Sequence, residues 1–200
     1  IALSLAISVG VFFFLPSLVA QWLERFVASH LLSSLLEGAF RLGLFVLYVW
    51  AIGFMPDVRR VFAHHGAEHK TINAYESGAE LTPESVAKHS TRHYRCGTAF
   101  LLSVMVISIL VFSLLGRPPM GLRILSRIVL IPVVAGVAYE WIKFTNRHRT
   151  NPVIRVIAAP NLSLQSLTTR EPDSSMLEVA IAALKRVLDS EGGELPAESA

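Results

Sequence analysis

Thr98-Ala-Phe-Leu-Leu-Ser-Val-Met-Val-Ile-Ser-Ile-Leu-Val-Phe-Ser-Leu-Leu115 is a run of apolar and small residues without a single formal charge. A bilayer core is about 30 Å thick and a helix rises about 1.5 Å per residue, so about 20 such residues cross it. Residues 1–20, 39–55 and 122–144 are also predominantly apolar and of comparable length, the last two with a few charges. The 200-residue chain agrees as a whole: it is 52% hydrophobic and 16% charged, with mean hydropathy +0.52. Soluble domains carry about 25% charged residues, so lipid is the expected solvent for much of this chain. The expected fold is an all-α polytopic membrane protein with four transmembrane helices plus interfacial and cytoplasmic amphipathic helices.

The stretches between these runs set the expected orientation. Residues 57–97 hold Arg59, Arg60, Lys70, Lys88, Arg92 and Arg95, and the tail beyond 144 continues the basic character with Arg147, Arg149 and Arg155. The opposite connections hold chiefly Arg25, Arg117 and Arg123. The positive-inside rule places the rich side in the cytoplasm, so a multi-pass protein of a bacterial cell membrane with both ends cytoplasmic is expected. The net charge of +3 is explained by this asymmetry, and no base-stacking aromatic pattern points to specific nucleic-acid recognition. The chain begins at Ile1, without Met and inside an apolar run, and reads as a fragment. Residues 1–20 lack the basic start and cleavage site of a signal peptide, which favours a span.

Four stretches organise the sequence: 1–56 with the first two spans, 57–97 as a cytoplasmic loop, 98–144 as a transmembrane hairpin, and 145–200 as a cytoplasmic tail. Trp22, Leu23, Phe26, Val27 and Leu31 recur at helical spacing and predict an interfacial helix between the first two spans. Residues 152–167 are apolar but broken by Pro160, and are expected to lie along the membrane surface. Ser175-x-x-Glu178 reads as a capping box opening a helix with Leu177, Ile181, Leu184 and Leu188 on its buried stripe, expected to dock on the central loop. Residues after about 190 are expected to be disordered.

The central loop carries the chemistry. His65-Gly-Ala-Glu-His69 places two imidazoles four residues apart on a helix, about 40° round one face, so both can reach one metal ion. Glu68 stands beside them as a candidate catalytic base. Glu76 lies seven residues past His69, about 10 Å of rise, too far to share that ion. Further ligands are sought at His93, Cys96 and Glu140, with His89 and His148 also near the same membrane face. Two histidines with His93 and Cys96 would close a tetrahedral, structural zinc site. Two histidines with Glu140 would leave a water position, with Glu68 activating that water. The competing readings are solvated interfacial histidines, a Glu68 ion pair to Lys70 or Arg60, Cys96 as a small core residue, and Glu140 paired with Lys143 or Arg147.

Gly66-Ala-Glu-His-Lys-Thr-Ile72, Tyr75-Glu-Ser-Gly78, Ser90-Thr-Arg-His-Tyr-Arg-Cys-Gly-Thr98 and Leu167-Thr-Thr-Arg-Glu-Pro-Asp173 resemble the YqhQ-like family of bacterial membrane proteins. The resemblance runs from the first span to the C-terminal helix. It implies a membrane location and a metal, since that family has been labelled metal-dependent. Tyr94 stands where the family pattern has Pro, which alters local stiffness beside His93 and Cys96. A Gly-rich segment that precedes the first span in the family has no counterpart here, which puts in doubt any site it would complete.

Two functions are expected from these residues. One is a zinc-dependent hydrolase acting on a peptide or lipid-linked bond. The other is a non-enzymatic membrane factor, a scaffold or insertion accessory whose basic face meets anionic lipid, a translocon or a ribosome. Metal transport is disfavoured, because the first and third spans offer only Ser and Met105 at depth. Oligomeric state is not legible in the sequence.

Overall fold

The computed structural model describes residues 3, 4, 7, 10–23, 25–27, 29–116 and 119–190. No described residue forms a strand. Among the described residues, a π-helical turn Gly10–Phe14 is followed by eight helices: α1 Leu15–Leu23, α2 His30–Ile52, α3 Pro56–Glu76, α4 Pro83–Val86, α5 Gly97–Leu114, α6 Met120–Arg147, α7 Pro152–Gln165 and α8 Ser174–Ser190. They divide into two compact units, one of residues 1–50 and 95–161, the other of residues 51–94 and 162–200.

In the first unit, three described helices rather than four are long and apolar enough to cross a membrane: Leu31–Ile52, Gly97–Leu114 and Ile128–Arg147. The expected first span falls partly outside the described residues. Its described part is residues 3, 4 and 7, all helical, and the π turn Gly10–Phe14 running directly into α1. The expected interfacial helix from Trp22 to Leu31 is not one helix. Trp22 lies in the last turn of α1, which ends at Leu23, the Arg25 N–H closes a turn on the Trp22 carbonyl at 3.3 Å, and Leu31 already belongs to α2. The break has a local cause: Ser29 stands before α2 and its Oγ accepts the Leu32 N–H at 3.4 Å, an N-cap arrangement. Helix α2 therefore starts nine residues earlier than the expected span at 39 and brings Glu37 onto the helix that carries Arg41. Those charges neutralise each other at 2.8 Å, and Arg41 Nε donates to the Phe12 carbonyl at 3.1 Å. An ionisable group on an apolar helix needs such partners.

Small residues let the apolar helices approach. A Cβ at Gly38 of α2 would collide with the Ile109 side chain of α5, a close contact typical of lipid-embedded helices. Cys96, Ala99 and Ile142 form a buried cluster with Phe100 against it, joining α5 to α6. Pro132 lies inside the 28-residue α6 and withholds one helical N–H. The predicted disordered end beyond 190 lies outside the described residues.

The second unit is built on α3. Pro56 opens it, and Gly78, with φ of 71°, closes it by donating its N–H to the Tyr75 carbonyl at 3.0 Å. Ala67 and Ala74 on α3, Val86 on α4, and Leu177 and Ile181 on α8 make its core, with Leu81, Met176 and Ala180 packed round it. Alanines on one helix receive branched side chains from the other, so α8 lies close along α3. Its start differs from the Ser175-x-x-Glu178 box: Asp173 is the cap, accepting the Met176 N–H at 3.0 Å and the Ser175 hydroxyl at 2.6 Å. Asp173 wins because its carboxylate is charged and already at the N-cap position, where it meets the helix dipole.

The Arg170 N–H donates to the Phe62 carbonyl at 2.9 Å, and a Cβ at Gly66 would drive into the Arg170 carbonyl oxygen. That oxygen is backbone and cannot swing aside. Gly66→Ala should therefore destabilise the second unit by about 1–3 kcal/mol despite the better helix propensity of Ala, measured by thermal melts in detergent. Wild-type stability would place the strip of chain elsewhere.

The hydroxyl of Ser175, the Met176 N–H and, last, the charge of His64 hold the Asp173 carboxyl below its ordinary 3.8. A lowered folded value means that Asp173 contributes stability above its unfolded value, lost as pH falls through the folded one. Asp173→Asn keeps a cap acceptor that does not titrate. The wild-type melting temperature should fall more between about pH 5 and about pH 3 than that of Asp173→Asn. Equal falls would remove Asp173 from the acid response.

Candidate metal centre

The histidine pair sits where α3 is gripped from two sides. On one side the loop 87–93 is tied to it residue by residue. Lys70 Nζ donates to the Ala87 carbonyl at 2.7 Å, and Asn73 Nδ2 donates to the Ser90 and Arg92 carbonyls at 2.8 and 3.0 Å. On the other side runs the strip 165–173. Lys70 is only 5% exposed, and its ammonium also meets Glu171 at 3.0 Å. Lys70 pairs with Glu171 and not with Glu68.

These two walls orient the imidazoles. His65 Nδ1 meets the Thr168 carbonyl at 2.9 Å, and His69 Nδ1 meets the Thr91 carbonyl at 2.6 Å. A carbonyl oxygen only accepts, so each Nδ1 carries a proton, and in the neutral imidazole each Nε2 then carries the lone pair. The rings pack edge to face with centroids 4.4 Å apart, and a ring nitrogen of each lies within 4.8 Å of the other. Two nitrogens on a tetrahedral zinc, each about 2.0 Å from it, stand about 3.4 Å apart, so small side-chain rotations close the pair on an ion. Fixing a ligand histidine by a carbonyl on its second nitrogen is the common outer-shell device of metal sites.

His93 joins through its ring, 5.9 Å from that of His69, and is 7% exposed. Its Nε2 meets Glu76 Oε1 at 3.3 Å. The 10 Å rise separates Glu76 from the histidine pair along the helix, yet the returning loop brings His93 to it. Gln165, fully buried, holds the His93 main chain on both sides: Oε1 accepts its N–H at 3.0 Å and Nε2 donates to its carbonyl at 2.8 Å. Neither Glu76 nor Gln165 was legible as a site residue, because each acts on a residue at least 17 positions away.

The remaining candidates are placed as follows. Glu68 is exposed on α3 and makes no ion pair among the described residues. His89 has its nitrogens occupied by the Ser85 carbonyl and Ser77 Oγ, both at 3.1 Å. Cys96 and Glu140 belong to the first unit. Cys96 caps α5, its sulfur accepting the Thr98 N–H at 3.3 Å, and is buried against Ala99 and Ile142. Glu140 is exposed on α6, and His148 beyond it is exposed with Nδ1 on the Phe144 carbonyl at 3.0 Å.

The family model described as protein of unknown function (DUF1385) matches residues 1–190. The chain belongs to that family. It is 37% identical over 186 residues, 93% of this chain, to a Bacillus subtilis (strain 168) protein named "Uncharacterized protein YqhQ". It spans 58% of that relative's length. No solved structure matches the chain. The resemblance to the YqhQ-like family is thus borne out, whereas the metal-dependent enzyme label finds no support in either description.

Removing the Gln165 amide would leave the N–H and carbonyl of His93 buried without partners. Gln165→Leu should cost about 1–3 kcal/mol of stability in thermal melts. A loss near zero would mean that His93 keeps its place without the clamp.

Proposed function

We propose that the chain is an integral membrane protein that binds a zinc ion through the Nε2 atoms of His65 and His69. The observation that carries this reading is the pair of Nδ1–H bonds to the Thr168 and Thr91 carbonyls, which aims two lone pairs from one helix face. Cys96 is the proposed third ligand on chain connectivity: it follows His93 by three residues, a reach of at most about 10 Å. Thiolate ligation favours zinc over magnesium or calcium. With His93 held by Glu76, a fourth position would be left for water, which a bound zinc would make more acidic. Glu68 would take its proton in hydrolysis of a peptide or lipid-linked bond.

A second reading is favoured by the exposure of Glu68 against the burial of His69. In it the zinc only staples the loop to α3, His93 closes the site, and the protein is a non-enzymatic membrane factor. Its partners would be anionic lipid, a translocon or a ribosome, met through Arg59, Arg60, Lys88 and Arg92. In both readings the positive-inside rule puts residues 57–97 and the tail beyond α6 in the bacterial cytoplasm. The side on which residue 1 lies then depends on whether the stretch 1–20 also crosses.

Elemental analysis of the purified protein should give one zinc per chain, lost in His65→Ala and in His69→Ala. Wild-type protein without metal, or variants that both retain it, would overturn the site. Loss in Cys96→Ala places the thiolate on the ion, and retention removes it. A Glu68→Gln variant that keeps zinc and fully complements a deletion strain would sink hydrolysis and leave the staple.

A further inference from the structure

Helix α7 has three faces, which its sequence alone does not separate. Successive residues turn by about 100°. Ala158, 4% exposed, and Asn161 point to one side, which packs on α5: Asn161 Nδ2 donates to the Ala99 carbonyl at 3.3 Å and to Ser103 Oγ at 3.2 Å. Val153, Val156 and Ile157 fall together within a sector of about 100° and are left bare, 61%, 72% and 50% exposed. Arg155, also exposed, lies about 150° from the middle of that sector. Such a helix has one face for protein, one for apolar surroundings and one charge pointing away from them.

The depth of the contact identifies the surroundings. Ala99 and Ser103 are the third and seventh residues of α5, about 3 Å and 9 Å past its start. If α5 crosses the membrane, Asn161 is tethered at the depth where amphipathic helices lie in a leaflet, about 5–10 Å below the surface. Water at that level is scarce, and three adjacent branched side chains facing it would be costly. We infer that α7 lies in the headgroup–acyl boundary of one leaflet, with Val153, Val156 and Ile157 in the acyl layer and Arg155 reaching back to lipid phosphates. Asn161 is then the polar anchor that sets its depth, and the occupant of the bare face is lipid. The inference rests on reading α5 as a membrane span.

The test is site-directed spin labelling of the full chain in bilayers of phosphatidylglycerol and phosphatidylethanolamine. Labels are placed at Val156→Cys, at Arg155→Cys, and at Val106→Cys on the exposed middle of α5, with unsubstituted protein as the blank for buried Cys96. Accessibility to oxygen is compared with accessibility to a water-soluble nickel chelate. The ratio at Val156 should be several-fold above that at Arg155 and approach that at Val106. A Val156 ratio as low as that of Arg155, with a high ratio at Val106, would overturn the placement of α7 while leaving the span intact. Low ratios at both Val156 and Val106 would overturn the span and the inference together.

Discussion

The approach of the Arg170 main chain to Gly66 is the constraint on which the second unit depends. With no Cβ in the way, the carbonyl of Arg170 reaches the helix surface, and its N–H closes on the Phe62 carbonyl. That fixes residues 168–173 along α3, and several consequences follow from one register. The Thr168 carbonyl meets His65, Glu171 meets the buried ammonium of Lys70, and Asp173 arrives where it caps α8. The capped helix then lays Leu177 and Ile181 over Ala67 and Ala74. A polar contact of one strip with one glycine thereby orders both the core and one of the two histidines.

The opposite wall works by a different kind of bond. Loop 87–93 has no regular structure apart from turns, so its carbonyls need donors. Lys70, Asn73 and His69 supply them from one helix face, and Glu76 meets the ring of His93 at the end of the row. The imidazole of His69 thus serves the loop through Nδ1 while its Nε2 remains directed elsewhere. The arrangement makes the loop fold and the histidine tautomer a single event.

The first unit is built on longer and more apolar helices. Its long helices satisfy their own main chains, and on α2 Arg41 pairs with Glu37 and donates to the Phe12 carbonyl. The amphipathic stripe of residues 22–31 looked like one helix because spacing alone carries no information about a cap. Ser29 ends that pattern, and a serine is legible as a cap only when the helix on its far side is known. The same limit applies to Ser175, which fits a capping box in sequence yet serves as a partner of Asp173.

Composition and periodicity by themselves determined that the chain is helical, that it holds long apolar segments, and that His65 and His69 share a face; the four expected spans became three among the described helices. These properties depend on neighbours within a few residues, which the sequence contains. The buried stripe of α8 at Leu177, Ile181 and Leu184 belongs to the same class. Tertiary structure alone decided that Glu76 reaches His93, that Gln165 holds it, and that main-chain carbonyls at Thr91 and Thr168 set both imidazole tautomers. Those contacts join residues 17 to 103 positions apart. Carbonyl groups are identical in every residue, so no letter of the sequence marks which of them will face a histidine.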